Sequence, residues 1–486
     1  MRMVLMQALK QHRLALVSGL LFFVIYGLLV FVNHYLFKTF ALDLGVYTNA
    51  LFDYGHLQFN DKGIFKPVAE NLLSDHFDLY LPILSPFGYI FGQYTLLIFQ
   101  ILFILAGGLG VYFTILKRSQ NTKMALQAQL CLYLSFPVFA ALSFDYHSNV
   151  PAAMLLPWVF YFAETKNIKA ISIMIIAIWL GKETMPFWMV FVSLGLAITY
   201  RQDSGLKKHF LLMAVLSLLY FLLVLKVVMP ALANSGQYDH YKFKALGNNY
   251  TEAFKFVLTQ PLDFLKVMFT NHLGKPEHNG VKAEFLFFFA MSGGMFLGLR
   301  PAFLLMILPM LVMKLCYDDP AAWSIDTHYS IELAPVLVLG LFFIANDLQK
   351  YRYQLIWASL LGILFCTFKY MDNTIYWHDY SRVRLYQASH YVKNYDVGIV
   401  HQQLRAIPSD AIVAAQTPFV PHLAYRDKCY TLPIVKDAQY IIASPSEEAM
   451  YPIIRPELNQ LLQDSMRSGR WQVQYSDTNV LVLKKL

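Results

Sequence analysis

Apolar residues in this chain come in runs too long and too uniform for strands, and short polar connections separate the runs. They lie at roughly 14–36, 95–116, 125–142, 150–163, 168–181, 185–200, 209–230, 285–298, 301–317, 329–346 and 353–371. Unbroken hydrocarbon of this kind predicts membrane-crossing helices, about eleven in all. Several runs hold only about fourteen residues, against the ~20 needed to cross ~30 Å of hydrocarbon, so one adjacent pair has the length of a re-entrant hairpin. Losing a pair leaves the sides of the ends unchanged. The first run follows Arg2, Lys10 and Arg13 and resembles a secretory signal without a small-residue cleavage site, which predicts a retained anchor.

Three segments break the pattern. The loop of about 37–94 ends in an apolar stretch, Leu79 to Phe91, interrupted by Pro82, Pro86 and Gly88; it is too short to span and is expected in or dipping into the interface. In the loop of about 231–284, Phe254, Val257, Leu258, Leu262, Leu265, Met268 and Phe269 recur at near-helical spacing among Lys255, Asp263 and Lys266. That predicts an interfacial amphipathic helix broken at Pro261. From about residue 376 the long runs stop. Alternation in Ala411 to Ala415, the run Tyr440 to Ala443, a helical stretch near Pro456 to Met466, and strands around Trp471 to Tyr475 and Val480 to Leu483 predict a small α/β domain. The expected division is a transmembrane domain over 1–375 and a soluble extracytoplasmic α/β domain over 376–486.

Composition agrees with a polytopic α-helical membrane protein: 57% of residues are hydrophobic and only 14% charged. The formal charge of +8 does not mark a nucleic-acid face, because Lys and Arg sit in short connections between apolar runs. Arg2, Lys10, Arg13, Lys117, Arg118, Lys123, Lys166, Lys169, Arg201, Lys207, Lys208, Arg300, Lys350 and Arg352 all fall on the side of the N-terminus. The positive-inside rule makes that side the cytoplasm. The long loop of 231–284 also carries lysines, but long loops weigh less in that rule. The expected location is a bacterial cytoplasmic membrane, multi-pass, with the three polar segments outside. Cys131, Cys316, Cys366 and Cys429 are too scattered for a disulfide framework or a zinc spacing.

On this topology the ionisable groups among the apolar runs gather at the outer face: Asp43, Asp75-His76, Asp145-Tyr146-His147, Lys182-Glu183 and Asp326 to Tyr329. Charges at such depth normally pair or face a wet cavity. Asp43 reads either as the N-cap of a helix through Tyr47 to Phe52 or as a general base taking the proton of an acceptor hydroxyl. Asp75, His76 and Asp78 suit a divalent metal or a phosphate-bearing headgroup, though their spacing is no established metal motif. Lys182 and Glu183 are either a tight turn whose charges reach the headgroups or a site for a lipid-linked phosphate, and Lys226 and Lys314 admit the same readings. His328, followed by Tyr329, is either a helix-entry residue or a donor to a leaving phosphate.

Taken in order, Leu42-Asp43-Leu44-Gly45-Val46-Tyr47, Leu73-Ser74-Asp75-His76-Phe77, Leu84-Ser85-Pro86, Phe144-Asp145-Tyr146-His147, Lys182-Glu183 and His328-Tyr329 resemble a family of multi-span prokaryotic membrane proteins known as a domain of unknown function. Ile407-Pro408, Pro421-His422-Leu423 with Arg426, and Tyr430-Thr431-Leu432-Pro433 resemble its outer domain. The layout is similar to the GT-C class of glycosyltransferases, which take sugars from polyprenyl-phosphate carriers outside the cytoplasm. The resemblance implies an inverting enzyme with Asp43 as base. It places Asp75, His76, Asp145, His147, Lys182, Glu183, His328 and Tyr329 as substrate or phosphate partners, and an envelope glycan, lipid or protein as acceptor. The first loop lacks the paired acids of some metal-using members, so a divalent metal at Asp75 and His76 is possible but not required. Two other readings compete: a transporter or flippase for a lipid-linked substrate, whose coupling residues belong near the midplane between repeats, and a non-enzymatic envelope-assembly protein.

Overall fold

The computed structural model describes residues 11–237, 241–376, 379–448 and 451–486. Arg2 and Lys10 of the predicted topology signal lie outside the described residues. Every predicted apolar run is helical. Among the described residues six helical stretches are long and apolar enough to cross a membrane: Arg13–Tyr35, Tyr80–Ser119, Thr122–Ser143, Ser204–Leu232, His328–Asp347 and Gln349–Asp372. Ile168–Trp179, Thr184–Thr199 and Pro301–Cys316 are shorter apolar helices. The remaining runs are the helices Asn149–Glu164 and Val281–Met291, the latter continued by a 3-10 turn at Gly294–Leu299.

Two compact units divide the chain. One comprises Met1–Gly27, Gln100–Val228 and Tyr238–Val383, the other Leu28–Phe99, Met229–Gln237 and Arg384–Leu486. In the first, the helix Leu333–Asp347 is apolar all round and buried from Leu333 to Ala345, as a helix enclosed by others must be. Thr184–Thr199 packs between Ser204–Leu223 and Pro301–Cys316. Gly195 permits this approach, since a Cβ there would stand 2.6 Å from the Ala302 carbonyl oxygen. The indole of Trp188 fixes the same contact by donating to the Met306 carbonyl at 3.0 Å.

The predicted amphipathic segment is two helices, Tyr250–Thr259 and Pro261–Phe269, with the break at Pro261. Asn249 caps the first by accepting from the Glu252 N–H. Phe254, Leu258, Leu262, Leu265 and Phe269 are all exposed, Leu262 by 80%. An apolar face that is left open so widely in the folded chain suits a lipid interface.

The second unit joins the first polar loop to the C-terminal residues. Its sheet has the order β2-β1-β3-β5-β4, with β1 Val413–Ala415, β2 Cys429–Thr431, β3 Tyr440–Ala443, β4 Trp471–Ser476 and β5 Leu481–Lys485. β1 runs parallel to β2 and β3, whereas β5 is antiparallel to β3 and β4. Helix Arg455–Arg467 covers one face through Leu458, over a core that includes Ala414, Ile441 and Leu483. The loop is tied to these residues by backbone bonds: Thr431 N–H donates to the Ile64 carbonyl at 2.8 Å. The apolar stretch predicted to be broken is a regular helix, Tyr80–Phe91, that accommodates Pro86 and leads by one 3-10 turn into Thr95–Ser119.

Candidate functional site

In the first unit, four of the predicted residues come together where helices Phe136–Ser143 and Asn149–Glu164 are joined. Asp145 is buried, and its carboxylate accepts from Arg382 Nη2 at 3.0 Å. The imidazoles of His147 and His328 lie face to face, centroids 3.5 Å apart and planes 16° from parallel. Phe144 flanks both rings at 5.5 and 5.3 Å, and the Tyr329 ring lies 4.2 Å from His328. Next to them Asn149 donates to the Glu332 carboxylate at 2.7 Å. Lys182 and Lys314 are near enough to Glu332 to act on it electrostatically.

The loop before His328 is held from inside. Lys314, buried in its helix, donates to the carbonyls of Ala322 and Ser324 at 2.7 and 2.6 Å. The loop thereby buries Asp326, and burial pushes its carboxyl up to about 8. Lys314 therefore tethers a loop, and its sequence-based reading as a group reaching the headgroups does not hold.

Glu183 is buried, so the tight-turn reading, with both charges reaching the headgroups, fails for the acid. With Lys226 and Tyr250 it lines a cavity of about 440 Å³ whose other walls include Phe187, Phe221, Leu225 and Phe254. A few polar groups at the edge of an apolar chamber of this size form an amphiphile-shaped space.

The remaining predicted residues belong to the second unit. Asp43 lies within a π-helical turn, Ala41–Gly45, that runs straight into helix Val46–Gly55. It is half-buried and is not the N-cap, because the cap positions are Phe40 and Gly45 and neither makes a side-chain cap bond. The turn is anchored to the C-terminal residues by the Ala41 N–H, which donates to Thr417 Oγ1 at 3.1 Å. Asp75 accepts from Lys62 Nζ at 2.8 Å, and Lys62 also pairs with Glu70, so the cation beside Asp75 is an ammonium group. Among the described residues no three His, Cys, Asp or Glu side chains are grouped to hold a metal ion. His76 is half-buried beside Asp75.

One polar constellation escaped the sequence. Asn60 Nδ2 donates to Asp53 at 2.8 Å and to Asn49 Oδ1 at 2.9 Å, and Asn49 donates to the carbonyls of Ala424 and Arg426. Burial pushes the Asp53 carboxyl up from 3.8 to about 7; the Asn60 bond opposes this, and Asp61 and Asp427 add to it. Between those two values the folded protein keeps a proton that the unfolded chain has released. Stability from this group is therefore fully present below about pH 4 and is lost as pH rises towards about 7, by about 1.4 kcal/mol per pH unit. Asp53→Asn is expected to flatten that slope and to raise the unfolding midpoint at pH 8 above wild type. Thermal unfolding of the purified protein at pH 5 and pH 8 measures it, and an unchanged slope contradicts it.

Gln100, Arg382, Asn149 and Glu332 were also missed. Gln100 and Glu332 gave a signal, a polar group inside an apolar run; Arg382 and Asn149 act through partners far away in the chain.

The first unit is thus a helical bundle with a buried ion pair at a helix junction, and the second is a sheet packed with the first loop; the fold is similar to that of GT-C-type proteins. Structures of similar fold include ArnT from Cupriavidus metallidurans bound to undecaprenyl phosphate, with a TM-score of 0.51 and 14% identity over 99% of this chain and 98% of that one. The apo form of the same protein has a TM-score of 0.44 at 13% identity, over 97% and 98%. The Archaeoglobus fulgidus oligosaccharyltransferase tethered to an acceptor peptide has 0.41 at 12% identity, over 90% and 69%. The chain itself belongs to the family described as "Predicted membrane protein (DUF2079)", which matches residues 33–482. No curated protein sequence matches it.

Proposed function

We propose that the protein is an inverting glycosyltransferase that moves a sugar from a polyprenyl-phosphate carrier to an envelope acceptor at the extracytoplasmic face. The observation that carries this reading is the presence in one unit of the buried, stacked pair His147 and His328 and of an apolar chamber lined by Glu183, whose neighbour Lys182 acts electrostatically on Glu332. A carrier is an apolar chain ending in phosphate, and these are its two environments. ArnT, of the same fold, has been solved with undecaprenyl phosphate, which supports a ligand of that chemistry. The chamber takes part of the chain, with Lys226 at its polar edge.

In the reaction the acceptor oxygen forms a bond to the anomeric carbon while the bond from that carbon to the phosphate oxygen breaks. The electron pair leaves with the polyprenyl phosphate, and the acceptor proton passes to a carboxylate, the part for which the family resemblance puts forward Asp43. Positive charge at Lys182 and a proton on His147 or His328 favour the departing oxygens, and fixed charge in a site poor in water is the strongest aid to such a step. In this reading about eleven apolar runs cross the membrane, the N-terminus is cytoplasmic, and residues 376–486 form the outer α/β domain. Cysteine accessibility in the loops tests that topology.

The direct test is transfer of radiolabel from polyprenyl-phosphate sugars to cell-envelope acceptors by the protein in lipid nanodiscs. Transfer supports the reading; no transfer from any donor, together with movement of the carrier across the bilayer, overturns it in favour of a flippase. Leu225→Trp, which fills the chamber, is expected to raise KM for the carrier about tenfold or more with kcat little changed, as for a loss of uniform binding. An unchanged KM removes the chamber from the reading.

A further inference from the structure

The chain passes from the first span to the turn that carries Asp43 through Phe37, which has φ +54°, in the left-handed region that a bulky residue rarely adopts. What holds it there is its fully buried ring. The imidazole of His401 stacks on that ring with centroids 4.5 Å apart, and the imidazole of His422 lies 4.5 Å from it at 56°. His422 in turn stacks on His34, in the last turn of the span, at 4.1 Å and 10°. Three imidazoles and one phenyl ring thus form a knot between the first loop and the C-terminal residues of the same unit. The short helix that carries His422, Val420–Leu423, also packs on the turn Ala41–Gly45. Val420 sits so near that a Cβ on Gly45 would stand 2.9 Å from its Cγ1, and Thr417 Oγ1 takes the Ala41 N–H at 3.1 Å. One four-residue helix therefore meets the histidine knot and the turn at once.

We propose that His422 is a positioning residue for the turn Ala41–Gly45, and that proton uptake by His422, His34 and His401 releases the turn. The hold follows from the packing; its bearing on sugar transfer rests on the reading of Asp43 above. Neither nitrogen of His422 reaches a hydrogen-bond partner in good geometry, nor does Nε2 of His34. His34 Nδ1 meets Thr39 Oγ1 at 2.9 Å, and His401 Nε2 donates to the Tyr35 carbonyl at 2.8 Å. Burial holds the His422 imidazole well below its usual range, His34 and His401 add to this, and the His34 carbonyl opposes it. Burial also lowers His401, against the Tyr35 carbonyl and with help from Arg405. The other titratable groups at the knot are Tyr94, with its ring 4.7 Å from His34, Tyr35, stacked on His401 at 4.7 Å, and Tyr395 beyond Phe37, which donates to Glu447. Lys38 Nζ is turned to the carbonyls of Ser389 and His390. Among the described residues, none of the groups that act on the three rings is a carboxylate. A charge on one ring therefore meets no counter-charge and repels its neighbours, and parting the rings draws Val420 away from Gly45. Released rings take up protons below about pH 6.5 that the closed knot does not hold, so release is favoured as pH falls, by about tenfold per pH unit for each imidazole.

Amide hydrogen exchange, read by mass spectrometry on the full chain in nanodiscs and expressed relative to an unstructured chain at the same pH, follows the turn through the peptide of residues 36–46. In wild type the protection of this peptide is expected to fall about tenfold or more per pH unit between about pH 6 and 4.5, while that of β3, in the sheet of the same unit, stays level. His422→Phe keeps a ring against His34 and takes no proton. It should leave the turn protected at pH 7 and make the fall shallower by about tenfold per pH unit, a change that a purely structural histidine would not give. Should His422→Phe fail to fold, His401→Gln, which keeps a donor for the Tyr35 carbonyl and takes no proton, should show the same shallower fall. Protection of the turn that ignores pH in wild type overturns the proposal, and so does a fall shared equally by β3. An unaltered slope in the variant overturns the titrating role of the knot. The expected slopes in a protein that transfers no sugar leave the hold standing and remove the glycosyltransferase reading; transfer together with protection that ignores pH does the reverse.

Discussion

Arg382→Met is expected to destabilise the protein by about 3–5 kcal/mol, the range for removing one partner of a buried ion pair. The side chains of Arg382 and Asp145 are only 10% and 6% exposed, and the bond between them is 3.0 Å long. Without the guanidinium, the Asp145 carboxylate keeps its burial and loses its counter-charge, at a residue whose backbone is already in the left-handed region. The pair itself need not stabilise the fold much, since desolvation offsets most of its attraction. The double variant Asp145→Asn with Arg382→Met should therefore recover most of the loss. Unfolding of the purified protein, measured for both singles and the double, gives the coupling energy. A single-variant loss below about 1 kcal/mol would place the pair in the range of solvent-exposed bridges.

That ion pair shows where the sequence runs out. Asp145 stood out because a charge between two apolar runs needs a partner, but nothing in the order of residues named Arg382, more than two hundred positions on. Asn149 with Glu332 and Asp53 with Asn60 were hidden for a related reason. Each is satisfied by a specific partner, and satisfied polar groups leave no pattern in the chain. Periodicity served better. It located the helices of the bundle, the break at Pro261, four of the five strands and the helix Arg455–Arg467. It missed β2, three residues with no room to alternate, and it took Pro82, Pro86 and Gly88 as interruptions of a segment that is helical. Pro82 lies in the first turn of that helix, where its missing N–H has no intrahelical partner to lose. Pro86 displaces one bond within a helix whose neighbours hold it in place.

Asp43 is the position on which the proposed chemistry turns. Its helical N-cap role is excluded by the continuous run from the π-turn into Val46–Gly55. It is a half-buried acid in a turn anchored by Thr417. Asp43→Asn keeps the size and shape and removes the base. It is expected to lower kcat for sugar transfer by about 10²–10⁴-fold, the usual contribution of a positioned general base, with KM for the carrier little altered. Asp43→Glu, which restores the carboxylate about one methylene out of place, should recover part of the rate, whereas Asp75→Asn, which breaks a pair with Lys62, should act through stability. Initial rates with radiolabelled polyprenyl-phosphate sugar, alongside unfolding midpoints for all three, separate the two effects. Full activity in Asp43→Asn would move the base elsewhere. Because the acceptor hydroxyl must lose its proton as the new bond forms, an active enzyme without Asp43 would then need another carboxylate or imidazole to take it.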